Sequence, residues 1–304
     1  MGTTTFFDEI RKNQFRTVFL IVVFFALAAG LGALIGLIWI QNTAGAFTGV
    51  VLAFIAGTIY FAVAWFAGGD MVLKMSGARE VTKKEYPYLF HTVEGLALAA
   101  GVPKPKCYVI EDSALNAFAT GRDPEHSAIC VTTGLLQKLN RQELEGVVAH
   151  EMSHIKNQDI RVMLLGAVLV GVITLLSDFL LRSFLWGGKG DDREGGMVAI
   201  VLIVVGLVLA ILSPIIAQLI QLAISRKREY MADASGAMLT RYPKGLADAL
   251  RKIKKDPDPL VDKANKATAH LFISTPFRKT GSWMANLFST HPPIDERIKR
   301  LDAM

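Results

Sequence analysis

The chain has 304 residues, 52% of them hydrophobic, with a mean hydropathy of +0.37 and a formal net charge of +6. Hydrophobicity at that level, gathered into long apolar runs, excludes an ordinary soluble domain and points to a membrane protein. The cationic excess is concentrated after residue 225, with 16 Lys or Arg against 9 Asp or Glu. It suits a domain resting on an anionic lipid surface rather than a nucleic-acid binder.

Two apolar runs come first, Thr17 to Ile40 and Ala46 to Ala67. Each is long enough to cross about 30 Å of hydrocarbon as a helix. Arg11, Lys12 and Arg16 before the first run, and Ala28-Ala29-Gly30 within it, are features of a cleaved signal peptide, but the run is too long for one. With the N-terminal residues they form a first segment, 1–70.

A polar segment, 71–161, follows. Lys84 to Ala100 reads as a helix ended by Gly101 and Pro103, and Cys107 to Ile110 as a short strand. Asn116 to Thr120 and Ser127 to Thr132 flank the turn-forming Gly121-Arg122-Asp123-Pro124, which predicts a hairpin. Asn140 with Glu143 three residues later is a capping box, so a helix starts near Arg141. Cys107 and Cys130 lack C-x-x-C spacing and read as reduced packing residues.

Two further apolar stretches, Val162 to Leu181 and Met197 to Ile224, make a second span pair within 162–225; Asp178 and Arg182, four apart, pair at the far end of the third span. The segment 68–161 carries eleven Lys or Arg, whereas the loop at 183–196 carries only Lys189 and Arg193. The positive-inside rule therefore puts both large polar segments, 71–161 and 226–304, in the cytosol. Each is short for an independent core, so the two are expected to fold together.

The predicted helix from Arg141 carries His150-Glu151-Met152-Ser153-His154. H-E-x-x-H sets two imidazoles one turn apart on one face, with a carboxylate between them. That pattern suits Zn²⁺ held by His150 and His154, with Glu151 beside the metal's open position as the base that takes a proton from water. A catalytic site needs one more protein ligand. Glu229 is the best candidate, directly after the fourth span, and Asp233, one turn on, is placed to accept a hydrogen bond from His150. The alternative for both acids is a charged juxtamembrane helix with internal ion pairs. The short distances from His154 to Arg161 and from Ile224 to Glu229 put the metal roughly 10 Å from the membrane surface.

These stretches together resemble the HtpX-type membrane zinc proteases, kin of the CAAX prenyl endopeptidases. The likeness spans nearly the whole chain and rests on HEMSH at 150–154, REYMAD at 228–233, NAFATG at 116–121, AHLFI at 269–273, and THPP at 290–293 with Arg297. It implies an α-helical membrane protein with a mainly helical α+β, thermolysin-like, glutamate-liganded zinc protease domain. It further implies His150, His154 and Glu229 as ligands, Glu151 as catalytic acid and base, and Asn116 and Ala117 in an edge strand that holds substrate backbone. Asn116 could equally be a turn residue opening that strand. His291 either stabilises the oxyanion of the reaction or caps the helix that Pro292 and Pro293 introduce, and Arg297 pairs with an acid. His91, His126 and His270 read as structural.

The function expected is zinc-dependent endoproteolysis of misfolded or damaged membrane proteins at the cytosolic face of a bacterial or archaeal plasma membrane, a stress-response role. Processing of defined or prenylated peptides is the competing enzymatic reading. A non-catalytic zinc-binding scaffold or sensor is the non-enzymatic one, and it gives no reason for Glu151 between the ligands.

Overall fold

The computed structural model describes residues 6–40, 42–166, 226–256, 271–273 and 292–304. Helices α1 (Phe6–Ile40) and α2 (Thr43–Met75) form an antiparallel hairpin. Asn42 starts α2 by accepting the Gly45 N–H on its Oδ1 at 2.8 Å. Both helices are long and apolar enough to span a bilayer. Phe15, Val18, Val22, Leu52, Ile59 and Phe66 stand exposed along them, a surface that water would not tolerate and lipid would. The fourth expected span, and the third beyond residue 166, with Asp178 and Arg182, lie outside the described residues.

The two helices touch through backbone. A Cβ added at Gly36 would land on the Gly45 carbonyl, and one at Gly49 on the Gly32 carbonyl, whereas a Cβ at Gly30 would meet nothing. Small residues at a crossing allow this approach. Gly36→Leu is therefore expected to part the hairpin at a cost of about 1–3 kcal/mol, the usual range for overpacking. Thermal unfolding in detergent should show a lowered midpoint for Gly36→Leu and an unchanged one for Gly30→Leu.

The polar part is mainly helical around a small mixed sheet. Strand β1 (Arg79–Glu80) precedes α3 (Pro87–Ala100), followed by β2 (Lys106–Ile110), β3 (Ala117–Gly121) and β4 (Ser127–Thr132). The predicted first helix starts three residues later than expected. Pro87 takes the first helical turn, where its missing N–H costs nothing, and Glu85 accepts the Thr82 N–H in the turn before it. The sheet order is β1-β2-β4-β3, with β2 parallel to β4 and the other pairs antiparallel. The hairpin forms with Ala117 opposite Val131 and Gly121 opposite Ser127, and β3 is the edge strand.

Then come α4 (Thr133–Lys138), α5 (Arg141–Lys156), helical residues 159–166, α6 (Arg226–Thr240), α7 (Pro243–Lys255) and α8 (Ile294–Asp302). Alternation along the strands divides the interior into two cores. Ala117, Ala119, Ile129 and Val131 face a core shared with α3, α5, α7 and α8. Phe118, Ala128 and Cys130 face a second, where the sheet meets Leu20 of α1, Val72 and Leu73 of α2, and residues 162–165. Cys107 and Cys130 belong to different cores, are buried and form no disulfide. Burial pushes the Cys107 thiol up to about 11.

Candidate metal centre

Helix α5 is anchored at its start by the capping box: Asn140 Oδ1 accepts the Glu143 N–H at 3.0 Å, and Glu143 Oε2 accepts the Asn140 N–H at 2.7 Å. Lys252 of α7 donates to the same Glu143 oxygen at 2.7 Å, tying the cap to the second polar segment. Three turns on, the buried face of α5 carries His150, Glu151 and His154. Helix α6 lies against this face. A Cβ at Gly236 would come within 3.0 Å of the His150 backbone nitrogen, so glycine there sets how closely the helices approach.

That approach brings Glu229 to the two imidazoles. The His150 and His154 Nε2 atoms are 3.2 Å apart, and the Glu229 carboxylate oxygens lie 3.6 Å from each of them. One ligand atom from each residue falls within 4.8 Å of the others, and all three residues are buried. The opposite ring nitrogens are held by carboxylates: His150 Nδ1 is 2.9 Å from Asp233 Oδ1, and His154 Nδ1 is 2.9 Å from Asp159 Oδ2. With both Nδ1 atoms donating, both Nε2 lone pairs point at one spot. Such an arrangement is repulsive unless a cation or a proton stands between them. The donor set therefore fits a zinc ion, which the two imidazoles and the Glu229 carboxylate would hold.

Each carboxylate is in turn held by a buried arginine. Arg297 donates to Asp233 through Nε at 2.9 Å and Nη2 at 2.7 Å, and Arg228 pairs with Asp159 at 3.1 Å. The result is two parallel relays, His150–Asp233–Arg297 and His154–Asp159–Arg228. Burial alone would raise the Asp233 carboxyl, but the Arg297 guanidinium and His150 hold it well below the usual carboxylate range. Burial likewise opposes protonation of His154, yet the Glu229 and Asp159 carboxylates outweigh it and raise the ring to about 9. Burial lowers His150 to about 4.

Sequence reasoning did not find Asp159 or Arg228. The available signal was an acid five residues beyond His154, past the end of the helix. Gln158, at φ 58°, turns the chain back so that Asp159 reaches the ring. Asp159→Ala is expected to weaken zinc binding about ten- to a hundredfold, as loss of a carboxylate behind a ligand histidine commonly does, with Asp159→Asn milder. Competition against a zinc chelator measures both.

Glu151 is buried beside the cluster, and its carboxylate accepts the Ala119 backbone N–H of β3. Burial, with a contribution from Glu229, pushes it up to about 7; the charge of a bound metal would draw it back down. Asn116 directly precedes β3 and folds its side chain onto its own strand, Oδ1 accepting the Ala117 N–H at 3.1 Å. The Ala117 carbonyl accepts the Ile273 N–H at 2.8 Å. Residues 271–273 therefore cover the edge at Ala117, and the next outward-facing carbonyl is that of Ala119. Phe272 locks this contact with an edge-on ring contact to Phe118 at 5.0 Å. His91 and His126 sit near acids of their own local elements, Glu94 and Asp123. His270 and His291 lie outside the described residues.

The two spanning-length helices and the buried two-histidine, one-glutamate cluster define a membrane metalloprotease. Residues 83–304 match peptidase family M48. The chain belongs to that family. It is 46% identical over 305 residues to a protein named Protease HtpX homolog from Dictyoglomus turgidum, covering 100% of this chain and 96% of that one. It is 44% identical over 303 residues to a Protease HtpX homolog of Streptococcus gordonii, covering 98% and 99%. Among solved structures it is similar to the crystal structure of S. mikatae Ste24p, at 21% identity and a TM-score of 0.47 over 80% of this chain and 58% of that one.

Proposed function

We propose that the protein is a zinc endopeptidase that cleaves unfolded or damaged membrane proteins at the cytosolic face of a bacterial or archaeal plasma membrane. The observation that carries this reading is the convergence of His150, His154 and Glu229 on one point, with Glu151 buried beside it. Zinc bound there supplies Lewis acidity, which acidifies water and polarises a peptide carbonyl. Glu151 accepts the proton that water loses as its oxygen bonds to the carbonyl carbon. It then returns that proton to the amide nitrogen as the C–N bond breaks, so no covalent enzyme intermediate forms.

Asp233 and Asp159 fix the tautomers of the ligand rings, and Arg297 and Arg228 fix the two carboxylates. Because the Ala119 N–H is held by Glu151, β3 ties the strand edge to the general base, and an extended substrate adding beyond Ala117 would lie beside it. Recognition through main-chain groups suits varied unfolded chains. Cytosolic placement follows from the charge of the polar segments, and an anionic lipid surface suits the basic second segment.

The test is purified protein incubated with an unfolded membrane protein, with and without a zinc chelator. Cleavage that stops on chelation and returns with zinc is expected, and hydrolysis that persists without metal would overturn the proposal. Cleavage confined to a prenylated peptide would favour the processing role instead.

A further inference from the structure

A cleft of about 190 Å³ lies where the last turns of α2 meet the turn end of the β3–β4 hairpin. None of His150, Glu151, His154 or Glu229 lines it. Helix α2 fixes its depth. At 1.5 Å per residue its 33 residues extend about 50 Å, well beyond a hydrocarbon core of about 30 Å. Exposed apolar side chains run uninterrupted by charge along α2 to Phe66, its first charged residue is Asp70, exposed Met71 and Met75 lie beyond it beside Lys74, and Val72 and Leu73 are buried against the sheet. The first charge on the helix thus puts the passage from lipid to water near Asp70, at the level of the cleft.

The walls carry two kinds of surface. Trp65 and Phe66 form the apolar side, while Lys104, Lys106 and Arg122 bring three cations against two acids, Asp70 and Glu125. The Arg122 guanidinium lies over the Phe66 ring, 5.1 Å from its centre, and its Nε donates to Asp123 at 3.2 Å, so it is held at the hydrocarbon edge. Lys106 pairs loosely with Glu80 at 3.7 Å, and the Lys104 ammonium sits 4.4 Å from the Phe90 ring centre. Thr120 also lines the cleft, and its hydroxyl is buried with no hydrogen-bond partner among the described residues. Burying a hydroxyl unpaired is costly, and a ligand oxygen would relieve it.

We propose that this cleft seats the headgroup of a phospholipid, its phosphate held by Lys104, Lys106, Arg122 and the Thr120 hydroxyl and its chains running along Trp65 and Phe66. The inference rests on the membrane reading of α1 and α2. The phosphate is the feature common to the candidate lipids. Asp70 and Glu125 accommodate either the amine of phosphatidylethanolamine or the hydroxyls of phosphatidylglycerol. Thr120 belongs to β3, so the headgroup would brace the strand that reaches Glu151.

Native mass spectrometry of the delipidated full chain in mild detergent tests this, with phosphatidylethanolamine, phosphatidylglycerol or phosphate-free diacylglycerol supplied separately. One phospholipid per chain should be retained, at least about tenfold better than diacylglycerol, as charge-assisted contacts to phosphate imply. Preference for either phospholipid identifies the source, and both results support the site. Lys106→Gln with Arg122→Gln should reduce retention about tenfold or more. Lys83→Gln with Lys84→Gln, outside the cleft, should not. Thr120→Val, which keeps the shape and removes the hydroxyl, should also weaken retention and serves if the double variant does not fold. Equal retention of diacylglycerol, or unchanged retention in the folded cleft variants, would overturn the site. Peptidase activity is not read, so failure here leaves the proposed function standing.

Discussion

Glu151→Gln is expected to bind zinc as the native protein does and to hydrolyse peptide bonds about a hundred to ten thousand times more slowly, the range a positioned general acid–base contributes. The amide is nearly isosteric with the carboxylate, and its oxygen can still accept the Ala119 N–H, so the tie between α5 and β3 survives. None of the atoms converging on the metal position belongs to Glu151. What disappears is the base: burial raises the Glu151 carboxyl and the charge of a bound metal would draw it back down, which leaves a carboxylate able to take a proton from water and give it back. Metal content by atomic emission and turnover of an unfolded substrate give the two readouts. Retained turnover with zinc still bound would remove Glu151 from its role, whereas loss of zinc would show that the residue supports the metal site instead.

Short-range chemistry made much of the site readable in advance. The capping box, the four-residue spacing of His150 and His154, and the four-residue spacing of Glu229 and Asp233 are all helical regularities. A sequence displays such regularities directly. The hairpin was legible for the same reason, since Gly121 to Pro124 forms its turn between two strand-like runs. Partners set by tertiary packing were not legible. Asp159 reaches His154 only because Gln158 adopts a left-handed conformation after the helix ends, and Arg228 meets Asp159 across the junction of two segments distant in the chain. The covering of Ala117 by Ile273 is of the same kind, a single backbone hydrogen bond between residues 156 apart in number. Nothing local to either residue signals it. The edge strand β3 is accordingly already paired at its first residue, Ala117.

Glu229→Ala should abolish high-affinity zinc binding, and the accompanying change in stability separates a ligand from a structural acid. Zinc that binds only the folded state raises the unfolding midpoint in proportion to the logarithm of its concentration over its dissociation constant. The native protein should therefore melt higher with zinc than with chelator, whereas Glu229→Ala should melt at one temperature in both. In chelator the native site keeps a buried arrangement in which the Glu229 carboxylate favours a proton on His154. The alanine variant loses that carboxylate, so its His154 ring titrates at lower pH and the two Nε2 atoms are left facing each other without the neighbouring charge. Nuclear magnetic resonance of the histidine rings would follow this change independently of metal. A purely structural Glu229 predicts the opposite pattern: lower stability in chelator, together with a zinc-dependent rise in midpoint as large as that of the native protein. That result would break the link between the two polar segments on which the metal site depends, because Glu229 is the one proposed zinc ligand contributed by the second of them.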